Sequence, residues 1–338
     1  TLLGTSLVGS ADSSRGDASS SAPGLHAVPF ISLRNQTGEA APEKWFGDER
    51  DTLTTGTCLL SHQPGLFADS LGDNGLFYIP KDDIRLEAVE PVGTEAFWQD
   101  FSSGVSGRHP ILYIHGYNTG FAKSCEQASH FQRNLSLGGR LVLFSWPSDG
   151  AFLNYSRDEA DLYWSVASLE ATLLRMSEQF GPGKVDVIGH SLGARGLFVT
   201  LVQLAHGSEY QRPLFNQLVF TAPDIDAAVF KQYLASIRPL ARKITLYVSE
   251  NDKPLALSRE VHGYPRLGEA GVHLDGITGI DIIDLSDIGV RSFSGHLYHL
   301  YHDNIVHDLD LLLNHGVKAG SRMGLSAEGE NRWRLKVP

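Results

Sequence analysis

The 338-residue chain holds only two cysteines, Cys58 and Cys125, too few for a disulfide framework. Neither lies in a CxxC pair or a metal-ligand spacing. Whether they bond to each other is left open by sequence alone, and a single bridge would be incidental to a chain of this size. Positive charge is also short, with 28 Lys and Arg against 39 Asp and Glu and a formal net charge of −11. That balance argues against a nucleic-acid or anionic-membrane partner, either of which would want clustered Lys and Arg. No apolar run approaches the roughly 20 residues of a membrane-spanning helix, and no internal repeat is present. What remains is the ordinary composition of a globular protein, 42% hydrophobic and 20% charged, long enough for one large domain plus an extension.

Organisation follows from shifts in composition along the chain. Residues 1–25, rich in Ser, Gly, Ala and Asp, offer little to bury and are expected to form a flexible leader. The chain opens at Thr1, read as a processing boundary. Residues 1–10 are compatible with the end of a signal peptide's apolar region, although no basic segment precedes them. The compartment, cytoplasmic or exported after loss of a leader, stays open. Residues 26–108 contain short β-like pieces (28–31, 57–60 and 75–79) between turn-formers, with a helical period only near 94–100. They are expected to form a β-rich extension packed on the main domain.

From His109 the pattern changes. Apolar strand-like runs at 111–114, 141–146, 185–188, 218–221, 244–248 and 281–285 alternate with helical stretches near 121–136, 158–179, 192–206, 226–236, 254–260 and 300–315. Continuous apolar strands alternating with helices predict a mostly parallel sheet covered on both faces, an α/β class domain over 109–317. Residues 318–338 are polar and are expected to be a tail.

Gly189-His190-Ser191-Leu192-Gly193 matches G-x-S-x-G. In a chain with 35 glycines the pentapeptide alone is weak evidence. Its context strengthens it, because it follows a predicted strand and opens a predicted helix. A tight strand-to-helix turn holds the Ser in a strained conformation with Oγ at the carboxyl edge of the sheet. The flanking glycines let strand and helix backbones approach closely, and the amide of Leu192 points at a developing oxyanion. A Gly-rich turn that merely starts a helix is the alternative. His115-Gly116-Tyr117-Asn118 directly follows the first strand of the series, where the amide of Tyr117 would serve as a second oxyanion donor. An ordinary strand-to-helix turn competes with that reading.

The remaining partners of Ser191 must come in the order acid, then His. Asp252 follows the strand at 244–248 in a short polar turn, although a helix N-cap explains it equally well. Asp224 and Asp226, just past the preceding strand, are its rivals. In the C-terminal segment His296, His299, His302 and His307 crowd around Asp303, with Gly295-His296 ending the loop before the last helix. His296 is therefore the candidate base, with His299 the alternative. A metal site at these histidines is disfavoured, since no further Cys or His partner is evident.

These blocks, in order, resemble a bacterial family of α/β hydrolases of unknown function, related to esterases and lipases. The resemblance rests on Ile114-His115-Gly116-Tyr117-Asn118-Thr119, Leu143-Phe144-Ser145-Trp146-Pro147-Ser148 and the elbow itself. It continues through Ala222-Pro223-Asp224-Ile225-Asp226, Leu246-Tyr247-Val248-Ser249 with Asp252, and Gly295-His296-Leu297-Tyr298. Leu53-Thr54-Thr55-Gly56 and Tyr78-Ile79-Pro80 look like the same family's N-terminal extension. The resemblance implies an α/β-hydrolase fold and a triad of Ser191, Asp252 and His296 with no cofactor. Leu192 stands where many members carry Met, and Leu297 where a small polar residue is commoner, so His299 stays open beside His296.

The expected activity is two-step acyl transfer on a small-molecule carboxylic ester. The connections near 147–157 and 207–216 are too short for a large lid, which points to short or accessible esters, with the extension forming one wall. Competing readings are amide, thioester or phospholipid substrates, a non-catalytic binding protein of the same fold, and a metal-dependent hydrolase. Dehalogenase chemistry would need Asp where the elbow has Ser.

Overall fold

The computed structural model describes residues 24–64, 82–105, 107–150, 154–207, 212–288 and 296–336. The expected strand at 75–79 and nearly all of the expected leader lie outside them.

The β-rich extension supplies β1 (His26–Gln36), β2 (Phe46–Pro64) and β3 (Asp82–Val92), then α1 (Thr94–Gly104). The alternating series follows as β4 (Ile111–Ile114), α2 (Phe121–Asn134), β5 (Leu141–Ser145), α3 (Tyr155–Phe180), β6 (Asp186–His190) and α4 (Leu192–Gly207). It continues with β7 (Phe215–Thr221), α5 (Ala227–Ile237), β8 (Ala241–Val248), α6 (Lys253–His262) and β9 (Asp281–Asp284). Two helices, α7 (Tyr298–Tyr301) and α8 (Asp303–Leu313), precede β10 (Leu325–Ala327) and β11 (Arg332–Leu335).

All these strands join one sheet in the order β10-β11-β9-β8-β7-β6-β4-β5-β1-β2-β3. Neighbours from β11 through to β1 run parallel. The pairs at the two edges are antiparallel. This is the α/β-hydrolase type of sheet, with helices on both faces. Strand β4 shows why both faces must be covered. Ile111 and Tyr113 enter one hydrophobic cluster with α2 and α8, while Leu112 and Ile114 enter the other with α3, α4 and α5. Side chains alternate across a strand, so a strand apolar at every position demands two apolar layers. Helix α2 meets its layer with Phe121, Cys125, Ala128 and Phe131 at helical spacing.

The β-rich extension is built into the sheet of the main domain. Its strand β1 pairs in parallel with β5 through Phe30, Ile31 and Ser32, so it continues the central sheet. Cys58 on β2 is disulfide-bonded to Cys125 on α2, which ties the extension to one covering helix. Residues 318–338, expected as a polar tail, contribute β10 and β11, and β11 adds in parallel to the edge strand β9. Leu335 is buried in the same apolar cluster as α2 and α8, with Leu325 and Trp333 packed against it, and this burial draws the segment onto the sheet. Arg334 beside them forms ion pairs with Asp284, Asp287 and Glu328, so its charge is matched where it lies. The last helical stretch is also divided, with His302 in an extended conformation between α7 and α8.

No helix among the described residues is long and apolar enough to cross a membrane.

Candidate active site

The sheet changes winding direction at β4, which has β5 on one side and β6 on the other. Ligand crevices of open α/β sheets form at the carboxyl ends of strands at such a point. Ser191 lies there, between β6 and α4, with φ of +54°. That left-handed conformation is costly for a residue with a Cβ and is held here by the surrounding backbone. The Ser191 amide donates to the Thr221 carbonyl at 3.0 Å, and the Ser191 carbonyl accepts from the amides of Ala194 and Asp224.

The glycines of the elbow are there for space. A Cβ on Gly189 would lie 2.7 Å from Ala194 Cα, and one on Gly193 would lie 2.2 Å from the His115 carbonyl oxygen. The start of α4 is therefore pressed against the end of β4, and only glycine permits that approach. A Cβ on Gly116 would likewise lie 3.0 Å from Ser191 Cβ. The turn carrying Tyr117 thus abuts Ser191. Leu192, wholly buried, is the first residue of α4, where amides have no acceptor within the helix.

That turn is rigidly held. Trp146 donates through Nε1 to the His115 carbonyl at 2.8 Å and stacks on its ring. Asp158 accepts from the amides of Asn118 and Asp149 and from the Ser148 hydroxyl. Ser148 Oγ in turn accepts from the Thr119 amide at 3.0 Å. Arg34, buried on β1, donates to the carbonyls of Thr119 and Ser148 at 2.7 Å each and to Ser145 Oγ at 2.9 Å. Burial, only partly offset by the surrounding carboxylates, lowers its guanidinium to about 9. Sequence reasoning missed Arg34; its signal is a lone Arg at the end of the apolar run from Val28 to Leu33.

Asp252 and His296 meet although 44 residues separate them. The His296 Nδ1–H donates to both carboxylate oxygens, at 3.0 and 2.9 Å. Asp252 also caps α6, accepting from the Leu255 amide at 3.1 Å, so the cap that the sequence allowed is present beside the contact with His296. The His296 side chain keeps 15% exposure, whereas that of Asp252 has none. Burial lowers the imidazole pKa, but attraction to Asp252 and the hydrogen bond to it win, and the net shift is upward.

The rivals are occupied elsewhere. Asp226 caps α5 through the amides of Ala228 and Val229. Asp224 is nearly buried, and burial opposes its charge. Arg195 at 3.1 Å and Arg266 at 2.7 Å nevertheless hold its carboxyl well below the usual range, with Ser258 and Tyr155 donating as well. The carboxylate is thus saturated. Tyr155, also bonded to Arg195, packs edge-on against Tyr117. His299 is fully buried beside Tyr113 and Phe131, and burial lowers its pKa to about 3. It does not reach Asp252. Among the described residues no three His, Cys, Asp or Glu side chains are grouped so that they could hold a metal ion.

Comparison with curated proteins gives no match. Among solved structures the chain is similar to a hyperthermophilic esterase from the archaeon Pyrobaculum calidifontis, at 14% identity and a TM-score of 0.35, over 62% of this chain and 77% of that one. It is also similar to a predicted CIB-like hydrolase from Thermoplasma acidophilum, at 14% identity and a TM-score of 0.36, over 86% of this chain and all of the other. A third is the AtxE2 isopeptidase, crystallised as an S527A variant with astexin3-dC4 bound, at 11% identity and a TM-score of 0.36, over 88% of this chain and 41% of the isopeptidase. A family model matches residues 95–314, from α1 to the end of α8 and well over half of the chain. The chain belongs to the alpha/beta hydrolase family of unknown function (DUF900).

Proposed function

We propose that the protein is a serine hydrolase that cleaves small carboxylic esters through an acyl-enzyme, with Ser191 as nucleophile, His296 as general base and acid, and Asp252 as the group that orients His296. The contact of His296 Nδ1 with both oxygens of Asp252 carries the reading. With the proton on Nδ1 held by a buried carboxylate, Nε2 is the basic nitrogen, as a general base requires.

His296 takes the proton of Ser191 as Oγ attacks the ester carbonyl. The charge on the carbonyl oxygen falls to the amides of Leu192 and Tyr117. Loss of one such donor typically costs roughly 10²–10³ in rate, and the bonds from Asp158, Ser148 and Arg34 hold the Tyr117 turn in place without reorganisation. Collapse expels the alcohol, which receives the proton from His296. Water attacks the acyl-enzyme by the same sequence, giving the acid and free Ser191. Asp252 stabilises the imidazolium formed in each half.

Only nine residues separate β5 from α3 and seven separate α4 from β7, so neither connection can hold a lid domain. Short or accessible esters fit such a site better than bulk lipid, and strong activation by lipid droplets would contradict this preference. The decisive experiment is hydrolysis of p-nitrophenyl esters from acetate to palmitate by wild type and Ser191→Ala, beside labelling by a fluorophosphonate. Short esters should be cleaved by wild type alone. An inert wild type that also escapes labelling refutes the proposal.

A further inference from the structure

The G-x-S-x-G pattern leaves its second position free, yet His190 occupies a particular place in this fold. It is 2% exposed and ends β6, in the middle of the sheet. Its Nε2 lies 2.8 Å from the main-chain oxygen of His296. A carbonyl only accepts, so Nε2 carries the hydrogen and Nδ1 is bare. Burial, with His299 and His296 alongside, pushes the imidazolium form far out of reach, so the ring is neutral. The ring centroids of His296 and His299 lie 4.7 and 4.4 Å away. On the other side, a Cβ on Gly116 would fall 2.6 Å from Nδ1, which has no hydrogen-bond partner among the described residues.

An unpaired buried acceptor is destabilising, so packing alone would favour Leu or Phe at this position. The one bond His190 makes runs to the backbone of His296. His296 sits on a loop two residues ahead of α7, whereas His190 belongs to the central sheet. A loop-borne residue holds its geometry only through contacts to a rigid element.

We propose that His190 is a positioning residue, whose Nε2–H holds the His296 carbonyl and so keeps the His296 imidazole against Asp252 and in register with Ser191. The inference rests on the triad reading above. Besides His190, the titratable groups near His296 are the carboxylates of Asp252 and Asp224 and the neutral ring of His299, itself near His130.

The test compares His190→Leu, →Gln and →Asn in ester hydrolysis across pH, with unfolding curves as controls. A Gln amide reaches the place of Nε2 and an Asn amide stops short of it. His190→Leu should lower kcat by about tenfold or more with KM within about twofold, the pattern of a misplaced catalytic group. Its acid limb in kcat/KM should move to lower pH, because His296 loses part of the attraction that raises its pKa. Gln should restore kcat to within about threefold and Asn should not. If Leu does not fold, the contrast between Gln and Asn decides alone. Equal losses in Gln and Asn, or a folded Leu variant as fast as wild type, would overturn the role of His190. A wild type inert to esters and to the fluorophosphonate would instead remove the triad reading and this inference with it.

Discussion

Alanine substitution of the four glycines in and after the elbow is expected to give a graded series set by what each new methyl would meet. At Gly193 the Cβ would lie 2.2 Å from the His115 oxygen and 2.8 Å from the Ile114 oxygen, both backbone atoms at the end of central strand β4. Overpacking costs about 1–3 kcal/mol in general and more where nothing can yield, so Gly193→Ala belongs at or above the top of that range. Gly189→Ala, 2.7 Å from Ala194 Cα, should follow it closely. At Gly196 the obstacle is the Leu162 Cδ1 methyl at 2.7 Å, the end of a flexible side chain. There a strain of about 1 kcal/mol is offset by a helix-propensity gain of about the same size, for a net change near zero. Gly207, at the end of α4, meets nothing within 4 Å, and alanine there should be neutral or stabilising by up to about 0.5 kcal/mol. Urea unfolding at unchanged m reads the stabilities. Fluorophosphonate labelling reads the site, which Gly193→Ala should slow because the His115 carbonyl borders the Tyr117 turn. Should Gly193→Ala unfold within about 0.5 kcal/mol of Gly207→Ala, the close approach of helix and turn is refuted.

Asp252→Asn keeps a good N-cap for α6, so stability should change by less than about 1 kcal/mol. Turnover should nevertheless fall by roughly 10⁴, the scale seen when a triad carboxylate is neutralised. The proposed mechanism needs neutral His296, whose pKa Asp252 raises, so wild-type kcat/KM should fall as pH drops through a value above the ordinary 6.5 or so; in the Asn variant that limb should move to lower pH, and an unmoved limb would sink the assignment. Stability has its own acid dependence. Burial holds His115 and His299 down to about 3, and unfolding frees them to protonate near 6.5 or so. The unfolded state then binds more protons between those values, so their contribution is present above pH 6.5 or so and is lost progressively as pH falls toward 3 or so. Asp224, held low by Arg195 and Arg266, adds its own loss only below about pH 4. His190, also buried neutral, adds to the same loss, so a thermal midpoint that stays flat between pH 7 and 5 or so would show that these histidines are not buried neutral.

The parts of this protein legible in the sequence are those set by local pattern. The runs at 111–114, 141–145 and 244–248 are apolar at nearly every position, which only a strand covered on both faces explains, and they fall in β4, β5 and β8. The elbow was legible because strand, glycine spacing and helix onset sit within ten residues, as steric demand at a turn is local. Asp252 was recognisable as a cap or an acid from its turn alone, since a carboxylate ahead of Lys-Pro-Leu satisfies either role.

Contacts between segments far apart in the chain were not legible. The pairing of β1 with β5 and of β11 with β9, the Cys58–Cys125 bond, and the bonds of Arg34 to Thr119 and Ser148 depend on which edges the finished sheet leaves open. The choice between His296 and His299 is of the same kind. The two lie three residues apart with the same side chain, and only the packed structure turns one toward Asp252 and buries the other beside Tyr113 and Phe131. Periodicity and turn chemistry therefore determined the elements and the tight turn at Ser191, because they act within a few residues. Tertiary structure decided which charges, rings and carbonyls meet, because desolvation and pairing are settled only when distant segments close over one another.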